Sequence, residues 1–493
     1  MNNINTNYSS LTIEYKENNE LDLLTGLKSF FSNIFIKKIG INTLLNSLNI
    51  NFKKIKSLTC NYTNFHINNK IEYFYKSVLP CFDKNNLLSL KLNNFIFYEN
   101  IGNLDIINDF VSLRTLHLDD FRLDKKLILN ITNLENITLF KCTNISFDEK
   151  IWPNIKYLKL NDTYIDNEKL IKLPNLVSLI LCEDIIYEKK LFNINIDFSS
   201  LQKLEHFNGN MFAIYLKLLL KKKNLDLDKE IDINNNYIKI MEKIISIKTL
   251  KSININLINL DKDNIKNIKG ENYSITDLKV FCNEESGCLL YDLQKKFSNV
   301  SSIYIENINS NYFNNFKNPS LEIIEDENCK INKINLKLYS LMKSFKIYCQ
   351  SFENLIELKI ELLYGKKTDI CLEKVFIIFD KNNKIIFRAL KKFSYIDDFY
   401  ENPPMNELNA INFNCMPNLN DLTIICRRSF LNFTDFKKII EKILLLNIRN
   451  IELKISTYYE RNYTFSQLRE LFPNINFSKY IKLLIEKYKD KIK

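Results

Sequence analysis

The sequence predicts an α/β architecture: a curved solenoid of repeated units, with a parallel sheet on its concave face and a helical cap at each end. Three observations carry this expectation. Of 493 residues, 46% are hydrophobic, while only 7 Gly and 8 Pro punctuate the chain and neither clusters into a linker, so one continuous architecture is expected. An apolar-x-x-apolar-x-apolar pattern recurs along most of the chain. Apolar positions at near-helical spacing stand at both ends.

The pattern is strictest in the stretch LRTLHL from Leu113, LENITL from Leu134, IKYLKL from Ile155 and LVSLIL from Leu176, which is three successive steps of 21 residues. The second and third apolar positions lie two apart, on one face of a strand, and the residue between them points to the other face. Further copies begin at Ile55, Leu87, Leu250, Ile275, Val300, Leu355, Leu390, Leu419 and Ile448, with weaker ones at Leu201 and Leu321. A Pro-Asn pair precedes the motif at Pro153, Pro174 and Pro417. The register between Leu336 and Ile347 stays open, because MKSFKI from Met342 lies only 13 residues before Leu355. One such unit cannot bury its apolar face alone, so neighbours must stack and the ends must be capped.

These segments resemble the leucine-rich repeat family, whose LxxLxLxxN motif they match with Ile, Val or Phe often in place of Leu. The resemblance implies parallel strands on a concave face that binds a protein partner. The family's closing Asn is replaced by Cys142, Thr163 and Asp184 in the regular block, each still able to hydrogen-bond in a looser turn ladder. Residues 1–54 are expected to be a helical N-terminal module: Leu23, Leu24, Leu27, Phe30, Phe31, Ile34 and Ile36 recur at near-helical spacing, interrupted at Gly40 and resuming at Leu44 and Leu45, which reads as two short helices. Residues 55–474 form the repeats. Residues 475–493 are expected to be a C-terminal helical cap, with Ser478 as N-cap before Tyr480, Ile481, Leu484, Ile485 and Tyr488. Another helix is expected after Thr434, and the stretch from Leu201 to Leu250 reads as a repeat with an inserted or degenerate unit.

The net charge of +11 is diffuse: residues 51–100 carry 7 basic against 3 acidic groups and residues 451–493 carry 9 against 5. A nucleic-acid groove would concentrate it into a basic stripe with interleaved aromatics, which argues against such a partner. The first twenty residues show no apolar run behind a basic start, and the longest apolar stretch is broken by Lys217. No signal peptide or membrane span is expected. The 11 cysteines are scattered without paired spacing, as expected of reduced thiols in a cytoplasmic protein, the host's cytoplasm if the source is a virus or parasite. Asn is about one residue in seven, which reads as AT-rich coding and makes glycosylation sequons common by chance.

Catalytic signatures are missing. The seven glycines are too dispersed for a phosphate-cradling loop, and His66, His117 and His206 lack metal or acid-base spacing. Cys282 and Cys288 are the closest cysteine pair, with nothing nearby to complete a four-ligand site. The expectation is therefore no enzyme, no cofactor and no metal. What remains is surface. The residue between the paired apolar positions gives Lys91, His117, Thr138, Lys159, Ile180, Lys279, Tyr304, Lys359, Thr423 and Glu452, with Phe140, Tyr157 and Tyr348 flanking. Of these, Lys91, His117, Phe140, Tyr157, Lys159, Ile180, Lys279, Tyr304, Tyr348 and Lys359 are the candidate partner-binding residues, since aromatics beside cations anchor protein interfaces. A protein-interaction scaffold is the leading expectation. The alternatives are an adaptor resembling the F-box and leucine-rich repeat proteins, although residues 1–50 lack the F-box Leu-Pro start and Trp, and, with less support, a nucleic-acid binder.

Overall fold

A computed structural model describes residues 10–15, 20–25, 36–37, 52–62, 79–94, 104–122, 126–148, 151–161, 163, 165, 170–182, 196–209, 239, 241–256, 269–282, 296–307, 320–324, 330–339, 344–348, 354–363, 387–397, 413, 416–429, 448–457 and 481–484. The chain divides into two compact units, Met1–Ile233 with Ile247–Leu250, and Asn234–Ser246 with Lys251–Lys493. The division falls in the 201–250 stretch that breaks the repeat pattern.

In the first unit the strands are β1 (Ser10–Tyr15), β2 (Glu20–Thr25), β3 (Ile36–Lys37), β4 (Ser57–Tyr62), β5 (Ser89–Asn93), β6 (Thr115–Asp119), β7 (Leu127–Leu129), β8 (Asn136–Phe140), β9 (Ile145–Phe147), β10 (Tyr157–Asn161), β11 (Ser178–Cys182) and β12 (His206–Asn208). β4, β5, β6, β8, β10, β11 and β12 pair in that order, all parallel, and β1 adds in parallel outside β4. Between these strands the chain returns through β7 and β9, which pair with each other in a second parallel sheet. Single bridges Ile145↔Ile165 and Ile171↔Ile196 continue the return side. Alternation of one strand here and one strand there makes each repeat a turn of a solenoid-like coil. The core lies between the two sides: Leu116, Leu118, Ile137, Leu139, Leu158, Leu160, Leu179 and Leu181 are all buried, as the pattern predicts. Twenty-one residues suffice for a strand, two turns and a short return, which leaves little room for a helix on each return.

Three backbone devices repeat with the coil. At each strand start, two consecutive N–H groups donate to one carbonyl of the preceding repeat: Glu135 and Asn136 to Arg114 at 2.8 and 2.9 Å, Lys156 and Tyr157 to Glu135 at 2.8 and 3.1 Å, Val177 and Ser178 to Lys156 at 2.8 and 3.0 Å. At the ends of β5, β6 and β8 the chain turns through the left-handed region, at Asn94 (φ 60°), Asp120 (φ 49°) and Lys141 (φ 51°). These are Asn, Asp and Lys rather than glycine, and each conformation is secured by its N–H donating to the last residue of the next strand, to Asp119, Phe140 and Asn161 at 2.7, 2.8 and 2.8 Å. The third device is an asparagine immediately before the motif. Asn133, Asn154 and Asn175 donate through Nδ2 to the carbonyls of Val111, Thr132 and Pro153 at 2.7, 3.0 and 2.6 Å.

In the second unit the strands are β13 (Ser252–Asn256), β14 (Asp277–Cys282), β15 (Ser302–Asn307), β16 (Ser320–Ile324), β17 (Lys333–Tyr339), β18 (Ser344–Tyr348), β19 (Glu357–Leu363), β20 (Lys392–Asp397), β21 (Asp421–Ser429), β22 (Asn450–Thr457) and β23 (Ile481–Leu484). β13, β14, β15, β17, β19, β20, β21, β22 and β23 form one parallel array. β16 and β18 pair separately, again one to each return. The asparagine ladder persists, Asn299 donating to Tyr273 O and Asn418 to Arg388 O, both at 2.7 Å.

Several expectations are corrected. The register near Leu336 resolves into two sheets: KINLKLY is the main-sheet strand β17 and SFKIY is the return strand β18, which is why two motifs could stand 13 residues before and at Leu355. The weak copy at Leu321 likewise belongs to a return strand, β16. At the N-terminus, 20–25 and 36–37 are strands rather than helix: β2 pairs antiparallel with β1, and β3 with β2. At the C-terminus Ile481–Leu484 is a strand that pairs Ile481 with Ile451 and Leu483 with Leu453. Both segments alternate apolar and polar residues over three positions, Leu21-Asp22-Leu23 and Ile481-Lys482-Leu483, and an exposed sheet edge supplies the ladder bonds that select the strand. The helix expected after Thr434 lies outside the described residues.

Candidate interaction face

One face of each main sheet packs on the core, and the other carries the side chains between the buried positions. In the first unit strict register arranges these into three rows running across the strands. The middle row is Thr59, Lys91, His117, Thr138, Lys159, Ile180 and Asn208, each directly beside the next. Tyr157 and Ser178 stand in the row on one side, and Asp119, Phe140 and Asn161 in the row on the other. Lys91, His117, Phe140, Tyr157, Lys159 and Ile180, all singled out from sequence, therefore share one face over five adjacent strands. Tyr157 is 50% exposed despite its size. The Lys141 ammonium sits 5.0 Å over the Phe140 ring.

His117 is the most perturbed group of this face. Its Nε2 is sealed from solvent with no hydrogen-bond partner among the described residues. Burial pushes its pKa down from the ordinary 6.5 to about 4, and the Lys91 and Lys159 ammonium groups push in the same direction. Asp119, one row away, moves oppositely: burial foremost and then Asp120 raise its carboxyl, against the pull of Lys91 and Lys141. These shifts give a pH prediction. Between pH 6.5 and about 4 the unfolded chain binds a proton at His117 that the folded chain refuses, so stability falls as pH drops through that window. Because the ring is only half-buried, the loss is about 1 kcal/mol after allowing for solvent screening. Asp119 contributes with the opposite sign, since its folded carboxyl holds the proton more tightly. The expected result is that wild type loses about 1 kcal/mol more than His117→Gln between pH 7 and 4.5 in urea titrations. Equal losses would show that His117 is charged in the fold.

At the rim of the face Cys142 is buried beneath the turn after β8. Its Sγ donates to Leu118 O at 3.4 Å and Phe140 O at 3.3 Å, and its N–H donates to Thr163 Oγ1 at 3.3 Å. Burial pushes the thiol up to about 12, which keeps it protonated at neutral pH as a hydrogen-bonding group of the turn. Thr163 in turn donates to Asn161 O at 2.8 Å, so the corresponding turn positions of two successive repeats are linked.

The second unit gathers Lys279, Tyr304 and Lys359 onto its own outward face, where they are engaged with neighbours. Lys279 lies 4.3 Å from the Tyr304 ring centroid, 4.7 Å from that of Phe281 and 3.8 Å from Glu306. Glu306 also accepts from Tyr304 Oη at 3.1 Å and Lys337 Nζ at 2.9 Å. Lys359 pairs with Glu361 at 3.2 Å and Lys333 with Glu357 at 3.1 Å. Tyr348 departs from the expected arrangement. It lies in β18, on the return sheet, because the motif that carries it is a return strand and not a repeat of the main array.

Among the described residues no group of three or more His, Cys, Asp or Glu side chains is placed to hold a metal ion, and no helix is long and apolar enough to cross a membrane. Cys288 lies outside the described residues. No protein-family description matches the chain, and no curated protein does either.

Proposed function

We propose that the protein is a non-enzymatic interaction scaffold of the leucine-rich repeat type, which holds a protein partner on the outward, concave face of its parallel sheet. The observation that carries this reading is the register of the first unit, which stacks Tyr157, Lys159 and Ile180 beside His117 and Phe140 on adjacent rungs. Side chains fixed by a hydrogen-bonded ladder lose little freedom on binding, and an exposed Tyr next to an aliphatic residue with polar groups around it is a suitable anchor. The buried thiols of Cys60 and Cys142, which form no disulfide, suit a reducing, cytoplasmic setting.

The test begins with affinity capture from source cells and continues with the purified partner. Tyr157→Ala and Ile180→Ala are each expected to weaken binding by about 2 kcal/mol, roughly thirtyfold, measured by calorimetry on variants whose melting is unchanged. Unchanged affinity in both would reject this face. Loss only in a chain lacking residues 1–50 would move the interaction to the N-terminal module and favour the adaptor reading.

A further inference from the structure

We propose that the outward face of the first unit takes an extended acidic polypeptide segment, laid across the strands so that two of its carboxylates meet Lys91 and Lys159. This names the partner class for the face proposed above and rests on that reading.

The inference comes from a contrast between the two units. On the second, the outward lysines Lys279, Lys333, Lys337 and Lys359 each have a glutamate of the same sheet within 4 Å, namely Glu306, Glu357 or Glu361. Their charge is consumed within the molecule. On the first, Lys91 and Lys159 occupy the same middle-row positions, and among the described residues neither has a carboxylate within ion-pair distance. Asp119 stands in the outward row beside Phe140, and Lys91 and Lys141 both act on its carboxyl, neither as an ion pair. Asp120 is taken by Arg122 at 2.8 Å. Glu135 at the strand start is taken by Lys156 at 2.9 Å and Arg114 at 3.6 Å. Glu205 lies 3.9 Å from His206 at the far edge. Among the described residues the face therefore keeps positive charge that no ion pair takes up, with Asp119 drawing on Lys91 only at longer range.

The spacing selects the ligand's form. Lys91, His117, Thr138 and Lys159 are successive partners in register, so the two lysines stand three rungs apart, about 14 Å at ~4.8 Å per strand. An extended chain rises ~3.4 Å per residue, so carboxylates about four residues apart reach both. Between them the neutral His117 ring adds no repulsion or attraction, and the Thr138 hydroxyl can pair with a polar group. Ile180 on the next rung, with Tyr157 beside Lys159, seats an apolar residue following the second carboxylate. A nucleic acid fits less well. Its phosphates recur more closely than two lysines per ~14 Å can match.

The test uses the full chain and a short fluorescein-labelled Ser-Gly peptide with two Glu four residues apart followed by Phe, read by anisotropy at low and high salt. The expected result is saturable binding that weakens with salt, with the Gln-for-Glu peptide about tenfold weaker. Lys91→Gln and Lys159→Gln each weaken binding about threefold and the double variant about tenfold. Lys333→Gln, whose lysine is already paired with Glu357, leaves it unchanged. Equal binding of the two peptides, or binding undiminished in the double variant, overturns the proposal. A single-stranded oligonucleotide that binds more tightly and loses affinity in the same double variant also overturns it, and marks the face as phosphate-binding. With the captured partner, loss of affinity in Tyr157→Ala but not in the double lysine variant rejects the acidic segment and keeps the interaction face. Insensitivity to all of these variants rejects both.

Discussion

Leu179→Asp is expected to unfold several repeats of the first unit together. Leu179 is fully buried and pairs in register with Leu158 on one side and Phe207 on the other, both buried. The substitution places a carboxylate among these apolar side chains, with Leu160 and Leu181 in the next layer. Its described in-register neighbours are apolar, so it must either remain charged with little solvation or take up a proton. Both routes cost several kcal/mol, about 4 or more. Each coil's core is completed by its neighbours, so the damage spreads along the stack. The measurement is a far-UV circular dichroism melt with limited proteolysis. Leu179→Ala, which leaves a cavity and no charge, is expected to lose about 2 to 5 kcal/mol. An aspartate variant that melts like the parent would mean that position 179 faces solvent and that the register is wrong.

The register was legible because two apolar residues two positions apart, at 21-residue steps, admit only one face of a parallel strand. Leu116, Ile137, Leu158 and Leu179 align accordingly, and so do the outward residues between them. Three features were not legible for physical reasons. Short apolar runs such as Ile481-Lys482-Leu483 satisfy helical and extended spacing alike, and an available sheet edge decides between them. Return strands repeat the same short apolar pattern as main-sheet strands, so the sequence around Leu321 and Phe345 reads as extra repeats and Tyr348 as a main-sheet residue, whereas all three lie in the paired return strands β16 and β18. The asparagine ladder was hidden by composition. In a chain so rich in Asn, the residue before Leu134, Ile155, Leu176, Val300 and Leu419 carries no visible signal until its Nδ2 is seen donating to the preceding repeat. The Pro-Asn pairs before Ile155, Leu176 and Leu419 were the trace of it. The turn reading at Cys142 and Thr163 needed only their polarity and position, and their hydrogen bonds match it.

Trp152→Ala is expected to destabilise the first unit by about 3 to 5 kcal/mol. Trp152 is the chain's one tryptophan, and it is 2% exposed. It stands three residues before Ile155, as Phe110, Ile131 and Leu173 stand before their own motifs, all of them buried. This makes it the largest occupant of a fourth apolar position in the repeat. Its ring packs edge-on against Phe147 of the return strand β9, with centroids 5.5 Å apart and planes at 86°. Its Nε1 donates to Asp148 O at 3.1 Å. Truncation therefore removes the contact that joins the return strand to the turn before β10, empties a large volume and deprives the Asp148 carbonyl of its donor. Trp152→Phe keeps most of the ring packing and loses the N–H, so about 1 to 2 kcal/mol is expected. Urea titration followed by circular dichroism measures both. In the parent, tryptophan fluorescence follows the surroundings of this side chain alone, so its transition should coincide with the proteolytic opening of β8 to β11. An alanine variant within about 1 kcal/mol of wild type would show that the return strand is not anchored through Trp152.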